Sequence, residues 1–218
     1  MSRYQIIRAG ESRSFPAPHV FIEKADPEGA ARVFIGSGAG AVFNGAGDLE
    51  TCPFVAIELG TECLGVHTGE DRGREGSNVV GFARFRMGRG DPSPLVELVR
   101  QPDTQAAAID AARAAFEAAG LKVAVCNDFP GRIIDRLIRP YLNAVLRRLD
   151  EKLASAEDLD KTLCLGLGYP EGPISLLERT GLAEHHDITL ALYQALGQEP
   201  YAPARRAQVA KARRINSV

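Results

Sequence analysis

The chain has 218 residues, of which 45% are hydrophobic and 25% charged, a composition typical of a folded protein with one large core or two small ones. Its formal net charge of -2 gives no electrostatic reason to expect nucleic acid as a partner. No apolar run reaches the roughly 18 residues that a membrane-spanning helix needs, so we expect no membrane partner either.

The N-terminus and the cysteines predict a cytoplasmic protein. The arginines near the N-terminus have no apolar segment behind them, so we expect no signal peptide. Cys52, Cys63, Cys126 and Cys164 are widely scattered, and none forms a CxxC pair or joins a histidine at metal-ligand spacing. We therefore expect free thiols in a reducing compartment and no metal site.

Residues 1–127 predict a short α/β domain. Segments rich in Val, Ile and Phe, bounded by Gly, Pro or charged residues, are typical of short strands. They lie at 20–22, 31–35, 54–59, 79–85, 95–99 and 121–125. A helix predicted over 101–119 ends at Gly120 and separates the last two strands. Such a strand–helix–strand unit favours a mostly parallel sheet.

A glycine-rich segment follows the second of these strands. Gly36-Ser37-Gly38-Ala39-Gly40-Ala41 fits the G-x-G-x-x-A pattern of a dinucleotide-binding turn, and Glu58 follows about twenty residues later, where a ribose-binding acid sits. Such a turn needs a helix behind it whose N-terminus faces the phosphates. Asn44-Gly45 and Ala46-Gly47 are turn signals, so we predict no helix of ordinary length. Between a nucleotide site at Gly36, Gly38 and Glu58 and a plain glycine-rich turn, the sequence favours the turn.

From Pro130 onward the sequence predicts only helices. Apolar residues recur with a period near 3.6 from Ile133 to Leu149, and Pro140 predicts a kink within that helix. Ser155, with Asp158 three residues later, resembles a capping box at the start of the next helix. Further helices are predicted over 172–180 and 183–196, and a frayed basic tail over 204–218. We therefore expect three parts, at 1–127, 128–203 and 204–218.

The order of several motifs in the second half of the chain points to a known family. Pro130-Gly131, Asp135-Arg136-Leu137 and Pro140-Tyr141-Leu142-Asn143 are followed by the segments 154–160 and 165–173. Over residues 127–203 this series resembles the C-terminal helical domain of the 3-hydroxyacyl-CoA dehydrogenase family. The segments 81–85 and 94–99 resemble a late part of the family's cofactor domain, which extends the resemblance to 54–203.

The resemblance implies a truncated Rossmann-like α/β domain followed by an all-α domain of the 6-phosphogluconate-dehydrogenase C-terminal type. Fewer residues precede the segment 81–85 here than in the family, so the first two βα units are missing or rebuilt. Residues 1–53 have no clear counterpart. The chain resembles the degenerate second copy that some long fused members carry.

The resemblance also assigns catalytic positions. In the family, a His base takes the proton of a 3-hydroxyl while hydride passes to NAD, and a Glu orients that His. Ala83 stands at the His position, and Glu97 matches the Glu. Asp135 stands where the family has an Asn, and the family's Ser position falls at Glu62 or Cys63.

Two other features bear on activity. His67 is the histidine near this region, so it is the candidate for a replacement base. The arginines at 72, 74, 84, 86 and 89 form a cation cluster, with Arg84 and Arg86 expected on one face of a strand. The cluster is either a binding site for the phosphates of coenzyme A or a solvent-exposed edge whose positive charge is neutralised by neighbouring acidic residues.

These residues leave three hypotheses open. The first is a family member in fatty acyl-CoA or aromatic-degradation metabolism that is catalytically degenerate on its own. The second is an active NAD-dependent oxidoreductase with a substituted base or a cofactor domain from another chain. The third is a non-catalytic acyl-CoA-binding or dimerisation module. We expect no cofactor on this chain alone, although the resemblance implies NAD, and a homodimer formed through the helical domain.

Overall fold

The structure, a computed structural model, describes residues 3–70 and 77–215. The chain forms two compact units. The sheet unit comprises Met1–Phe85 and Pro92–Ile133, and the helical unit comprises Arg86–Asp91 and Ile134–Val218. Among the described helices, none is long and apolar enough to cross a membrane.

The observed boundary at Ile133 differs from the one predicted at 127/128. Residues 128–133 stay with the sheet unit because they bond to it. The carboxylate of Asp128 accepts the N–H groups of Leu64 and Gly65 at 2.7 and 2.8 Å, and the N–H of Gly131 donates to the carbonyl of Thr61 at 2.9 Å. The helical unit therefore begins later in the chain than the sequence pattern predicts.

The sheet unit contains a six-stranded, mostly parallel sheet within the described residues, which confirms the predicted α/β architecture. Its strands follow one another in space as in the chain: β1 (Tyr4–Arg8), β2 (Ala31–Ile35), β3 (Val55–Glu58), β4 (Val79–Arg84), β5 (Leu95–Arg100) and β6 (Lys122–Asn127). β5 runs antiparallel to β4, and all other neighbours are parallel.

Helices cover both faces of this sheet. They are α1 (Val20–Glu23), α2 (Ala39–Gly45), α3 (Gly65–Thr68) and α4 (Ala106–Ala118). One face packs against α1 and α4 through a core that includes Phe21, Phe82 and Phe116. The other face packs against α2 and the start of α3 through a core that includes Phe43 and Leu64.

In the N-terminal region one predicted strand was wrong and one strand was not predicted. Residues 20–22 form α1 rather than a strand, because Nδ1 of His19 accepts the N–H of Phe21 and caps a helical turn. The ring of Phe21 then stacks on those of Tyr4 and Phe116. A run of three apolar residues cannot distinguish a buried strand from a buried helical turn. The strand that the patterns missed is β1, an edge strand between charged residues.

The helical unit confirms the all-α prediction. Its helices are α5 (Ile134–Asp150), α6 (Ala156–Leu167), α7 (Pro173–Thr180), α8 (Leu182–Leu196) and α9 (Arg205–Ile215), with a 3-10 turn at Glu199–Tyr201. The predicted capping box starts α6, since Oγ of Ser155 accepts the N–H of Asp158 at 3.0 Å and donates to its carboxylate at 2.7 Å. Pro140 lies inside α5.

The predicted frayed tail is instead the packed helix α9. Ala207 is fully buried, and Arg205 and Arg206 both donate to the carboxylate of Asp150, at 2.8 and 2.7 Å. Lys211 donates to Asp187 at 2.7 Å. The cations that made this segment look like a solvated tail are therefore the groups that attach it to α5 and α8.

Candidate functional site

The carboxyl ends of β1 and β2 form a crevice. α1 follows β1 on one face of the sheet, whereas α2 follows β2 on the other face. Neighbouring strands whose connections leave to opposite faces create the place where α/β proteins bind nucleotides. A cleft of about 220 Å³ lies here, lined by Glu11, Gly36, Glu58, Glu62 and their neighbours.

Three backbone donors of the glycine-rich turn in this crevice are already bonded within the chain. The N–H of Ser37 donates to the carbonyl of Glu11 at 3.0 Å, and the N–H of Gly38 donates to the carbonyl of Ala9 at 2.7 Å. The N–H of Ala39 donates to Gly36 at 3.0 Å. The loops after β1 and β2 are thus hydrogen-bonded to each other, and these donors are not available to a phosphate.

A carboxylate of the chain itself occupies the N–H of Gly36. Glu58, at the end of β3, is buried. Its Oε2 accepts the N–H of Gly36 at 2.7 Å, and its Oε1 accepts the N–H of Ser14 at 2.6 Å and the hydroxyl of Ser12 at 3.0 Å. The side chain of Glu58 therefore fills a concavity of backbone donors that could otherwise bind an anion. Glu58 is a buried hydrogen-bond acceptor that holds loops together, rather than an exposed ribose-binding acid.

A short helix follows the glycine-rich turn. α2 begins directly after Gly38, has seven residues and ends at Gly45, so it is shorter than a helix of ordinary length, as the turn signals at Asn44-Gly45 predict. Its buried residues Ala39, Gly40 and Phe43 pack against the sheet. Gly36 has a φ of +105°, and a Cβ there would lie 2.5 Å from the carbonyl oxygen of Ala9. The close approach of the loops after β1 and β2 therefore explains why position 36 is a glycine.

A second cluster centres on Glu97 in β5. Ala83 of β4 is its direct partner across the antiparallel pair. The Glu97 carboxylate is buried, and its Oε1 accepts the N–H of Ile133 at 2.9 Å. Its Oε2 lies 3.6 Å from Nε of Arg132, and the two side chains are only 3% and 4% exposed. Arg132 also donates from Nη2 to the carbonyl of Gly60 at 2.6 Å.

Arg132 is the residue that the sequence reasoning missed. Arg84 and Arg86 lie nearer to Glu97 in sequence, but the chain returns after β6 and brings Arg132 to the carboxylate instead. A guanidinium stays protonated under all ordinary conditions, so it can neutralise Glu97 but cannot accept a proton from a substrate. The sequence offered one indication of this role, which is that the charged residue Arg132 directly precedes the apolar residues Ile133 and Ile134.

His67 lies in a different cluster from the one around Glu97. It is in α3, its Nε2 is 3.5 Å from Oε1 of Glu62, and its ring packs directly on Gly40. Burial alone would raise the pKa of Glu62, but its contact with His67 and its bond from the N–H of Gly60 lower that pKa to about 2. Glu62 is therefore ionised at neutral pH and does not act as a proton donor.

The three described arginines of the cluster have partners within the chain, and Arg89, whose side chain is 69% exposed, pairs with Glu184 at 3.3 Å. Arg84 is buried over the ring of Phe15 and donates to the carbonyls of Ser14 at 2.9 Å and Ser93 at 2.9 Å. Burial lowers the pKa of Arg84. β4 ends at Arg84, so the expectation that Arg84 and Arg86 share a strand face was wrong; Arg86 donates to Gly90 at 2.6 Å. The arginines at 72 and 74 lie outside the described residues.

Asp135 belongs to a buried polar network of the helical unit. Its Oδ1 accepts from Nε of Arg139 at 2.7 Å, and Nη1 of Arg139 is 3.1 Å from Nδ1 of His185. Nε2 of His185 is 3.0 Å from Oδ1 of Asn143, whose amide group donates to Pro200 and Ala202. His185 must therefore accept at Nδ1 and donate at Nε2, which is the neutral form.

The surroundings of His185 favour this neutral form. Its pKa is lowered to about 3, first by burial and then by the charges of Arg139 and His186. The network is fully enclosed, since Arg139, Asn143 and His185 are all 0% exposed. Within the described ranges, no group of three or more metal-ligating side chains is present. The four cysteines are free thiols.

Comparison with known proteins matches residues 131–216 to the family model described as 3-hydroxyacyl-CoA dehydrogenase, C-terminal domain. A probable 3-hydroxybutyryl-CoA dehydrogenase of Deinococcus radiodurans is 33% identical over 117 residues, which are 52% of this chain and 42% of that protein. The mitochondrial hydroxyacyl-coenzyme A dehydrogenase of Homo sapiens is 39% identical over 88 residues, which are 40% of this chain and 28% of that protein. The chain thus matches less than half the length of these curated relatives.

Solved structures share the fold. A (S)-3-hydroxybutyryl-CoA dehydrogenase from Ralstonia eutropha superposes with a TM-score of 0.71 at 22% identity, covering 85% of this chain and 66% of that one. A 3-hydroxybutyryl-CoA dehydrogenase from Escherichia coli gives a TM-score of 0.70 at 22% identity, covering 86% of this chain and 42% of that one. These proteins therefore share the fold of this chain over most of its length, including a Rossmann-like sheet unit.

Proposed function

We propose that this chain, which belongs to the 3-hydroxyacyl-CoA dehydrogenase family through residues 131–216, is catalytically degenerate on its own and acts as an acyl-CoA-binding and dimerisation module of acyl-CoA metabolism. The observation that carries the proposal is the Glu97–Arg132 pair opposite Ala83. The acid that orients a His base in the family here neutralises a cation that cannot act as a base.

The nicotinamide cofactor of the family does not fit the crevice of this chain. Its pyrophosphate requires free backbone donors and tolerates no fixed carboxylate beside them, whereas Glu58 holds the N–H groups of Gly36 and Ser14. A dinucleotide also spans two halves of a sheet, and β1 is an edge strand of the described sheet. The same features argue against the alternative of an active NAD-dependent enzyme with His67 as its base.

We expect the purified chain to show no saturable NADH binding, because the N–H groups of residues 36–39 are bonded within the chain and Glu58 fills the crevice. Calorimetry or nicotinamide fluorescence should detect no complex at NADH concentrations up to about 1 mM. Gly38→Asp is the matched control, because it adds a carboxylate at the turn. A micromolar dissociation constant that Gly38→Asp abolishes would contradict this part of the proposal.

The dimer part of the proposal is supported by α6. None of its residues is buried within the chain, and Leu165 and Leu167 near its end are 79% and 65% exposed. A helix of twelve residues is only marginally stable in water unless packing stabilises it, and α6 has no buried residue to supply that packing. A second copy of the chain that covers this apolar surface supplies the missing burial, on the order of 2,000 Å² for an obligate interface.

We expect light scattering at micromolar concentration to give the mass of two chains of 23.4 kDa each. The double variant Leu165→Asp/Leu167→Asp should be monomeric, because charges cannot be buried unpaired at an apolar interface. Val20→Asp, at a 44% exposed position of α1 in the sheet unit, is the control and should remain dimeric. A monomeric wild type would overturn the dimer proposal.

A further inference from the structure

The last strand of the sheet, β6 (Lys122–Asn127), leaves one of its sides open. Within residues 3–70 and 77–215, β5 is the strand beside it, and no strand lies on its other side. None of its six residues is buried, although Val123, Val125 and Cys126 pack partly against the cores of the sheet unit. An edge strand that is uncharged between its ends and rich in β-branched residues is a template for pairing with another strand.

The backbone groups of β6 divide between its two sides. The N–H of Lys122 donates to the carbonyl of Pro94 at 2.9 Å, so Lys122 and every second residue after it bond to β5. The N–H and C=O groups of Val123, Val125 and Asn127 therefore point away from the sheet. The described part of the chain places no hydrogen-bond partner on these groups. They form a row of alternating donors and acceptors that a strand from outside can use.

A second copy of β6 fits this edge in an antiparallel register centred on Val125. Val125 then faces Val125 of the second copy, and Val123 faces Asn127, so each outward donor meets an outward acceptor. In the same register the exposed Lys122 faces Asp128, which directly follows β6, on one face of the extended sheet. Opposite charges directly across a strand pair stabilise it, and no like charges meet in this register. Asp128 already accepts two N–H groups of its own chain, and a carboxylate can accept about four.

The helix beside β6 permits the approach of a second copy. Phe116 of α4 stacks on Phe21 and packs against Phe82 of β4, so this flank of α4 faces the middle of the sheet. The opposite flank therefore faces the side of β6, and small side chains there let two helices approach closely. This flank carries four alanines at helical spacing, which are Ala107, Ala111, Ala114 and Ala118.

We propose that β6 is a self-association surface, on which a second copy of this chain pairs its own β6 in the antiparallel direction and extends the sheet across a twofold axis. The outward row of backbone groups and the facing of Lys122 and Asp128 across that axis carry the inference. The surface is separate from α6, so the inference stands or falls independently of the dimer proposed above. Interfaces below about 1,200 Å² associate weakly, and a single strand pair is short, so this contact forms at higher concentration than the α6 dimer.

The variant Leu165→Asp/Leu167→Asp isolates this surface, because it removes the α6 dimer. Sedimentation equilibrium should give one chain at about 5 μM and a rising share of two chains up to about 500 μM. Val125→Pro in this background should abolish the association, because proline removes the outward N–H at the centre and leaves the bonds to β5 in place. Ile6→Pro is the matched control, because its N–H also points away from the sheet but at the opposite edge, in β1. It should associate as the background variant does.

Lys122→Glu tests the charge pairing without a change to the backbone. It places a carboxylate opposite Asp128 and should weaken the association about tenfold. Arg8→Glu, the same change of charge at the exposed end of β1, should leave it unchanged.

Wild type provides a second reading, since its mass should rise from two chains towards four or more over the same concentration range. A wild type that is monomeric at micromolar concentration but associates above it would refute the α6 dimer and support the β6 contact. Masses that stay constant over the whole range in both wild type and the α6 variant would overturn the inference. Association that persists undiminished in Val125→Pro and Lys122→Glu would overturn it as well.

Discussion

Replacing Arg132 by methionine is expected to lower the free energy of unfolding by about 3–5 kcal/mol. The variant leaves the Glu97 carboxylate buried, with the N–H of Ile133 but without its cation. A loss of this size is a large part of the stability of an ordinary domain, so the urea midpoint of the variant should fall well below that of wild type. Urea unfolding followed by circular dichroism measures the change.

A double-mutant cycle identifies the cause of that loss. Glu97→Gln/Arg132→Met removes both charges and should recover most of the stability lost in Arg132→Met. Arg148→Met is the matched control, because Arg148 pairs with Glu151 at the surface, where both side chains are more than half exposed. It should change stability by at most about 1 kcal/mol. Equal losses in the single and double variants would show that Arg132 acts through packing and not through Glu97.

The unfolding free energy is also expected to fall as the pH drops from about 6.5 towards 3, because of His185. An unfolded histidine has a pKa near 6.5, whereas that of folded His185 is about 3. Between these values the unfolded chain holds more protons, so stability rises with pH. The slope from this residue approaches about 1.4 kcal/mol per pH unit, which amounts to a few kcal/mol over the interval.

His185→Gln isolates this contribution from that of the carboxylates. The Gln oxygen can accept from Arg139 and its amide can donate to Asn143, so the network remains bonded without a titrating group. The difference in stability between wild type and His185→Gln should shrink as the pH is lowered from 7 to 4.5. Parallel pH curves for wild type and His185→Gln would reject this account.

Local patterns predicted most elements of the fold. Apolar segments bounded by breakers located β2 to β6, and helical periodicity located α5. The Ser155–Asp158 cap was predicted because it depends on residues three positions apart. The error at residues 20–22 arose because a run of three apolar residues fits a strand or a helical turn equally well, and here the cap by His19 and the stacking of Phe21 on Tyr4 and Phe116 accompany the turn.

In the candidate site, too, the residues that belong to local motifs were predicted, whereas contacts between distant parts of the chain were not. Motif order identified Glu97 and Ala83 as partners, and the strand pairing places them opposite each other. The sequence could not assign Arg132 to Glu97, because the contact joins residues separated by a helix and a strand. Nor could it show that Glu58 bonds Ser14 and Gly36, since three separate loops must meet there. Side-chain partners across the fold depend on tertiary packing and have no local signature.

The central claim, that this chain lacks dehydrogenase turnover on its own, is tested most directly by NADH oxidation with acetoacetyl-CoA. We predict no rate above the enzyme-free blank for wild type, because Arg132 cannot transfer a proton and the crevice beside Glu58 offers no seat for the cofactor. His67→Ala and Glu97→Gln should then be indistinguishable from wild type in this assay. Clear wild-type turnover that collapses in both variants would show that His67 has become the base, and would contradict the claim.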